Sequence, residues 1–179
     1  MNVTVFCGSN CGNDPFFAEM TEQLGKWIGE NGHTLIYGGG SVGLMGILAD
    51  AVMKTGGEAI GITPNFFIEQ DKTHKSLSEL EVVPSMAVRK DRMIELGDLF
   101  IAMPGGVGTL DEMYCVMALH KLNFHNKPMV FYNVSGFYDS TKTVLEDMVN
   151  KGFYDQKQLD EIIFASTPEK MATYLNERR

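Results

Sequence analysis

Several features that define other protein classes are scarce in this sequence of 179 residues. Its three cysteines, Cys7, Cys11 and Cys115, are too few and too unevenly spaced for a disulfide framework, so we expect reduced thiols. No apolar run approaches the ~20 residues that a membrane-spanning helix needs. The four histidines form no H-E-x-x-H pattern and no zinc-ligand spacing with the cysteines. The sequence therefore gives no indication of a metal.

Positive charge is also scarce, because 15 Lys and Arg residues oppose 23 Asp and Glu residues and the net charge is −8. Such a chain repels nucleic-acid polymers and anionic membrane surfaces. Its first residues enter a strand-like run without the basic segment, apolar core and cleavage site of a signal peptide. We therefore expect a cytoplasmic protein whose partner is a small molecule, with no nucleic-acid polymer and no membrane bound.

Short runs rich in Val, Ile, Phe and Tyr alternate with longer stretches of helical period, which predicts βαβ units. The predicted strands cover residues 3–7, 34–37, 58–63, 80–83, 99–103, 129–132 and 162–164. The predicted helices cover residues 15–30, 44–54, 86–96, 110–122, 136–150 and 168–177, with Asp14 and Thr167 as N-caps of the first and the last. Residues 64–79 read as a loop.

The strands are continuous apolar runs, as in parallel sheets that are covered on both faces. The expected fold is α/β, a doubly wound, Rossmann-like parallel sheet with helices on both faces, in a single domain over residues 1–179. Ligands of such sheets bind beyond the carboxyl ends of the strands. We therefore look for function in the loops after the strands.

The second strand runs directly into a glycine-rich loop in which Gly38, Gly40 and Gly43 satisfy G-x-G-x-x-G. Glycines let the backbone approach a ligand, and the free N–H groups of the following helix favour an anion. A dinucleotide site would also need an acidic residue at the end of the next strand, where Ile62 and Thr63 stand. An alternative is that the glycines only let a helix pack closely on a strand.

A second glycine loop follows the fifth predicted strand and leads to Thr109 and Glu112. It contains no lysine for a Walker loop, so its N–H groups and the Thr109 hydroxyl suit a single phosphate. Positions three apart share a helix face, so Thr109 and Glu112 point the same way, ~4–5 Å apart along the axis. The helix start favours an ionised Glu112 by ~0.3–1 kcal/mol, which suits an anionic stabiliser or water-orienting base better than an acid. The alternative is a charge that serves only the helix start.

Arg89 stands on the apolar stripe of a predicted helix, with Met86, Met93 and Leu96 at −3, +4 and +7 from it. Its guanidinium therefore points toward the core. Because a buried charge is costly, the side chain must either extend to the surface or pair with an anion. The alternative is a structural arginine tied to a carbonyl or a carboxylate.

Three motifs together resemble one family. GGGxxGLMG occupies residues 38–46, MxxRKxxM residues 86–93 and PGGxGTxxE residues 104–112, and the segments CGS, HNKP and GFYD also fit. The sequence resembles the LOG family, the cytokinin riboside 5′-monophosphate phosphoribohydrolases formerly labelled lysine decarboxylases. It departs from the family at Ala87 and Val88, which replace the more usual His and Glu.

The resemblance implies hydrolysis of the N-glycosidic bond of a purine nucleoside 5′-monophosphate, AMP or an N6-modified AMP, to free base and ribose 5-phosphate. It implies that Arg89 and Glu112 are catalytic, that no cofactor is needed, and that the protein is a homodimer. The residues expected to bind the phosphate and the rest of the nucleotide are Ser9, Gly39, Gly40, Ser41, Gly43, Lys90, Pro104, Gly105, Gly106, Val107, Gly108 and Thr109.

Two other functions stay open from the sequence. The same loops would serve a nucleotide-binding protein that turns nothing over. Lysine decarboxylation would require pyridoxal phosphate held as a Schiff base, and Lys90 is the one lysine near the motifs.

Overall fold

The computed structural model describes residues 1–177, and its strands form one parallel sheet. The strands are β1 (Asn2–Phe6), β2 (Thr34–Tyr37), β3 (Glu58–Pro64), β4 (Glu79–Val83), β5 (Leu99–Ala102), β6 (Met129–Tyr132) and β7 (Ile162–Ala165). Their order across the sheet is β4-β3-β2-β1-β5-β6-β7, and every neighbouring pair is parallel. The predicted α/β fold is confirmed.

Helices cover both faces of this sheet. They are α1 (Pro15–Glu30), α2 (Gly43–Lys54), α3 (Asn65–Glu69), α4 (Met86–Leu96), α5 (Val107–Lys121), α6 (Asp139–Asn150), α7 (Gln156–Asp160) and α8 (Pro168–Glu177). One apolar core packs α1, α2 and α8 against the sheet, and a second packs α4 to α7 against the other face. Burial on both faces explains why the strands read as continuous apolar runs.

Side chains at the predicted helix starts cap the helices as expected. The Phe16 amide donates to Asp14 Oδ1 at 2.9 Å, with Pro15 at the first helical position. The Lys170 amide donates to Thr167 Oγ1 at 3.3 Å before α8. Each cap satisfies an amide that has no partner within its helix.

The structure differs from the sequence-based prediction at short or glycine-rich segments. Residues 64–79 are not all loop, because α3 forms a single turn with no buried residue and therefore no apolar period to detect. The five-residue α7 was missed for a similar reason, as only Leu159 is buried in it. Helix α6 begins at Asp139 rather than 136, after a turn in which Ser135 and Gly136 have positive φ.

Helix α5 begins at Val107, three residues earlier than predicted. Gly106 is its N-cap and Gly108 lies in its first turn, although glycine weakens helix interiors. The earlier start places Thr109 and Glu112 on the first turns of one helix, so their predicted spacing holds.

The strand order reverses between β1 and β5, because β2 to β4 lie on one side of β1 and β5 to β7 on the other. Loops that leave adjacent strands to opposite sides open a crevice at the carboxyl ends of those strands. The loops after β1 and β5 border this crevice, and both belong to the motifs found in the sequence.

Candidate active site

An ion pair between the first turn of α4 and the second turn of α5 lies at the centre of the candidate site. Arg89 Nη1 donates to Glu112 Oε1 at 2.6 Å, and Arg89 Nε donates to the Ile62 carbonyl at 2.9 Å. The side chains of Arg89 and Glu112 are only 8% and 12% exposed. The sequence-predicted pair is therefore brought together, and Arg89 also meets the carbonyl and carboxylate that its structural alternative requires.

Burial dominates the electrostatics of Glu112. It raises the pKa of this carboxyl above its ordinary value, an effect that the positive charge and hydrogen bond of Arg89 oppose and that nearby Asp111 adds to. Burial therefore outweighs the helix start, which was expected to favour the ionised form of Glu112. A helix start contributes less than ~1 kcal/mol at an exposed site, whereas removing a carboxylate from water costs several times more.

Cys7 lies close enough to this pair for both charges to affect the pKa of its thiol. Burial raises the pKa of its thiol, the Glu112 carboxylate raises it further, and Arg89 lowers it. A thiol in such surroundings stays protonated and packs as a small apolar group. The CGS motif thus places its first residue beside the ion pair.

The loop after β5 folds against the loop after β1. The Gly8 amide donates to the Pro104 carbonyl at 3.1 Å. Thr109 is only 4% exposed, and its hydroxyl lies over Gly105, where a β-carbon would overlap it. Gly106, Val107 and Gly108 are exposed at the start of α5.

Beside these loops lies a cavity of 260 Å³, which we call the switch-point cavity. It is lined by Gly8, Ser9, Asn10, Cys11, Gly12, Phe17, Leu44, Pro104, Gly105, Gly106 and Phe137. Ser9 and the first part of the second glycine loop therefore share one cavity, whereas the residues expected to line the nucleotide site with Ser9 do not line it; these are Gly39, Gly40, Ser41 and Gly43.

The loop between β2 and α2 is held by the segment at residues 72–74. The Ser41 amide and hydroxyl lie 3.0 and 3.2 Å from the Lys72 carbonyl and both donate to it, and the His74 amide donates to the Gly39 carbonyl at 2.8 Å. Gly40 pairs with Thr73 in an antiparallel bridge. Both donors of Ser41 are thus already engaged, so Ser41 would have to release Lys72 to meet a ligand.

Gly43 joins this loop to the switch-point cavity. Its φ is +63°, and a β-carbon there would overlap the peptide between Ser9 and Asn10. Glycine is required here for both the conformation and the close approach. The contact brings the first glycine loop against the loop after β1.

Lys90 is drawn toward α5 instead of toward either glycine loop. Its ammonium contacts the two carboxylate oxygens of Asp111 at 2.8 and 3.0 Å, and the hydrogen bond raises its pKa. Asp111 is exposed and paired with Lys90.

A smaller cavity of 120 Å³ lies on the other side of the β2–α2 loop, and we call it the Arg89 cavity. It is lined by Gly38, Gly40, Val42, Met45, Thr63, Phe67, Lys72, Thr73, Met86 and Arg89. Sequence reasoning assigned no role to Thr63, Phe67, Lys72 or Thr73, because the segment after β3 carries no recognisable pattern.

Comparison with known proteins identifies the family. A family model described as a possible lysine decarboxylase matches residues 45–175. The chain is 37% identical over 175 residues to a cytokinin riboside 5′-monophosphate phosphoribohydrolase of Arabidopsis thaliana, an alignment that covers 98% of this chain and 81% of the relative. It is 41% identical over 153 residues to one of Rhodococcoides fascians, covering 85% and 77%. The chain belongs to the LOG family.

Solved structures show that this LOG-family chain shares its fold with more distant proteins. A molybdenum cofactor binding protein of Rippkaea orientalis matches with a TM-score of 0.74 at 22% identity, covering 98% of this chain and 95% of that one. A molybdenum cofactor carrier protein of Chlamydomonas reinhardtii matches with a TM-score of 0.74 at 18% identity, covering 98% and 96%. At this identity the likeness concerns the fold alone.

Two features are absent from residues 1–177. No helix in that range is long and apolar enough to cross a membrane. No group of three or more His, Cys, Asp and Glu side chains there is arranged to hold a metal ion.

Proposed function

We propose that this protein hydrolyses the N-glycosidic bond of purine nucleoside 5′-monophosphates and releases the free base and ribose 5-phosphate. The observation that carries the proposal is the Arg89–Glu112 pair at 2.6 Å, three residues along α5 from the buried Thr109 of the glycine loop. Relatives named as cytokinin riboside 5′-monophosphate phosphoribohydrolases support it. AMP and N6-modified AMP are the proposed substrates.

In this proposal the phosphate binds at the start of α5. The amides of the Gly106–Gly108 turn, the loop at residues 104–105 and the Thr109 hydroxyl would receive the anion, as helix N-termini with free N–H groups do. Glu112 lies one turn further along the same helix, so it would face the sugar of a nucleotide whose phosphate is fixed there.

The chemistry follows from the burial of Glu112. Cleavage of a glycosidic bond passes through a sugar with oxocarbenium character, so positive charge develops at the ring as the base leaves. Burial disfavours the Glu112 carboxylate in the free protein, and a developing cation beside it removes that penalty. The carboxylate thus stabilises the transition state more than the ground state, which is the requirement for catalysis. Water adds to the anomeric carbon, and its two hydrogens end on the sugar hydroxyl and the departing base.

Arg89 is proposed to hold the sugar-phosphate oxygens and to keep Glu112 ionised. Its guanidinium is fixed by Ile62 as well as by Glu112, so it is positioned before substrate arrives. Neither role calls on a metal or an organic cofactor.

Lysine decarboxylation is disfavoured by the state of Lys90. A Schiff-base lysine needs a lowered pKa so that its amine can be neutral, whereas the bond to Asp111 raises the pKa of Lys90.

We also propose that the protein acts as a homodimer. Val88 on α4 and Val107 on α5 are 40% and 87% exposed, on the two helices that carry the ion pair. Apolar side chains at this position would be covered by a second copy of the chain.

The decisive experiment incubates the purified protein with AMP and with N6-isopentenyl-AMP and follows the free base by chromatography. Glu112→Gln should lower kcat by orders of magnitude and leave nucleotide affinity largely intact, because the phosphate loop is untouched. Asp111→Asn, the neighbouring acid that pairs with Lys90, is the control and should stay within a few-fold of the parent rate. Tight AMP binding without base release, unchanged in Glu112→Gln, would instead establish a non-catalytic nucleotide-binding protein.

A further inference from the structure

The Arg89 cavity contains an unsatisfied polar atom. Thr63 at the end of β3 is 0% exposed, and its Oγ1 has no hydrogen-bond partner within residues 1–177. Buried hydroxyls are almost always paired, because an unpaired one loses its bonds to water without replacement. On the wall of a cavity, an unpaired hydroxyl is placed to bond with a ligand that enters.

Two other buried threonines, Thr4 and Thr21, show what a structural hydroxyl does here. Thr4 is 0% exposed and donates to the Met93 carbonyl at 3.0 Å, and Thr21 donates to the Phe17 carbonyl at 2.7 Å. Both bond to a backbone carbonyl close by. Thr63 differs from them in lining a cavity and in having no such bond.

Arg89 and Thr63 offer complementary groups to whatever enters. A guanidinium only donates hydrogen bonds, and with Nε on Ile62 and Nη1 on Glu112 its Nη2 lies against Gly38, where a β-carbon would overlap it. The Thr63 hydroxyl can accept as well as donate. Together Arg89 and Thr63 suit a ligand edge on which an acceptor, facing Arg89, lies next to an N–H donor, facing Thr63.

A 6-aminopurine presents such an edge, with a ring nitrogen as acceptor beside the N–H of the exocyclic amine. Much of the remaining wall suits the flat face of a base, because Val42, Met45, Phe67 and Met86 are apolar, and Lys72 and Thr73 complete the lining. At 120 Å³ the cavity would enclose only the edge of a purine, since one water occupies ~30 Å³ of liquid.

The position of the cavity also fits. The phosphate loop follows β5 and Thr63 ends β3, with β1 and β2 between them. Strands lie ~4.8 Å apart, so three spacings place Thr63 ~14 Å from the phosphate loop. That is the length scale of a nucleoside monophosphate that lies along the carboxyl edge of the sheet, with its sugar at the Arg89–Glu112 pair.

We propose that Thr63 is a specificity-determining residue, whose hydroxyl accepts a hydrogen bond from the 6-amino group of the base in the Arg89 cavity. This inference rests on the proposed function, because it takes the phosphate to bind at the start of α5. It assigns to β3 a side-chain hydroxyl for discrimination among bases, a group that the glycines lining the same cavity, Gly38 and Gly40, do not offer.

The test compares kcat/KM for AMP and for purine ribonucleoside 5′-monophosphate, which lacks the 6-amino group. Thr63→Val keeps the shape of the side chain and removes the hydroxyl. It should lower the ratio of the two kcat/KM values by about 3- to 10-fold, the worth of one hydrogen bond. Effects of the leaving base on the chemical step cancel, because each enzyme is compared with itself on the same two nucleotides.

Two controls separate recognition from folding. Thr63→Ser retains a hydroxyl and should retain the parent ratio. Thr4→Val removes a buried hydroxyl that does not line the cavity, and it should also leave the ratio unchanged. Thermal unfolding of Thr63→Val should show no loss of stability, since the hydroxyl has no bond to lose.

The outcomes are distinguishable. If the parent releases base from both nucleotides and Thr63→Val has the parent's ratio, the Thr63 assignment is overturned and the proposed function stands. If the parent releases base from neither nucleotide, the proposed function is overturned.

Discussion

Replacing Arg89 by methionine removes the cation beside the buried Glu112 while keeping a long unbranched side chain in place. The two side chains are 8% and 12% exposed, so solvent screens the loss very little. Breaking a buried ion pair by removing one partner costs ~3–5 kcal/mol. Loss of the bond to the Ile62 carbonyl adds ~0.5–1.5 kcal/mol.

This deficit should depend on pH. The pKa of Glu112 is already raised in the folded protein, and removal of Arg89, which opposes the rise, should raise it further. A carboxyl whose pKa is higher in the folded than in the unfolded chain stabilises the fold fully below its ordinary pKa of ~4.3, and loses that contribution as pH rises through the folded pKa. The deficit of Arg89→Met should therefore grow from pH 5 to pH 8, by up to ~1.4 kcal/mol for each unit of additional pKa rise.

Urea unfolding at several pH values measures the free energy of unfolding directly. Arg89→Met/Glu112→Gln is the matched control, because it removes the titrating group and should recover most of the deficit at pH 8. A deficit in Arg89→Met that is flat from pH 5 to pH 8, or a double variant no more stable than the single one, would refute the view that an uncompensated Glu112 carboxylate is the cause.

Two further predictions concern the second glycine loop and the exposed helix starts. A β-carbon on Gly105 would approach Thr109 Cβ to 2.8 Å and Gly8 N to 3.0 Å, whereas one on Gly106 would meet nothing within 4 Å. Gly105→Ala should therefore cost ~1–3 kcal/mol in urea unfolding and raise KM for AMP, while Gly106→Ala should unfold at the parental urea concentration; equal losses would contradict the close contact. Val107→Asp should halve the mass measured by light scattering if its helix start lies in the dimer interface, and an unchanged dimer mass would exclude that surface.

The sheet was predictable because its strands are buried on both faces. Continuous apolar runs such as 129–132, and the Gly, Pro or Asn that follows most of them, identify strand ends to within one residue. The caps at Asp14 and Thr167 fixed the ends of α1 and α8 by the same local chemistry. Helices α3 and α7 were not predicted, because single turns on the surface show no apolar periodicity. Their formation depends on neighbours that are distant in sequence.

The candidate site was predictable only in part. Helical spacing placed Arg89 on a buried face and Glu112 beside Thr109, and the fold then brought the two helices together. The pKa direction of Glu112 was missed, because a helix-start argument counts charge and dipole but not burial, and burial is a tertiary property. Thr63 was missed for the same reason, since a threonine at a strand end signals nothing until its neighbours are known.

Gly38 shows why the glycine loop and the arginine helix form one unit. If the glycines served only to pack a helix against a strand, the atom nearest the missing β-carbon of Gly38 would belong to that helix. It belongs instead to the Arg89 guanidinium, with Met45 of α2 farther away at 3.3 Å. Any side chain at this position would push Arg89 away from Ile62 and Glu112. Glycine at position 38, the first residue of GGGxxGLMG, is therefore required by the arginine of MxxRKxxM. Two motifs that lie ~50 residues apart are thus tied by one steric constraint, and the charge pair of the candidate site depends on it.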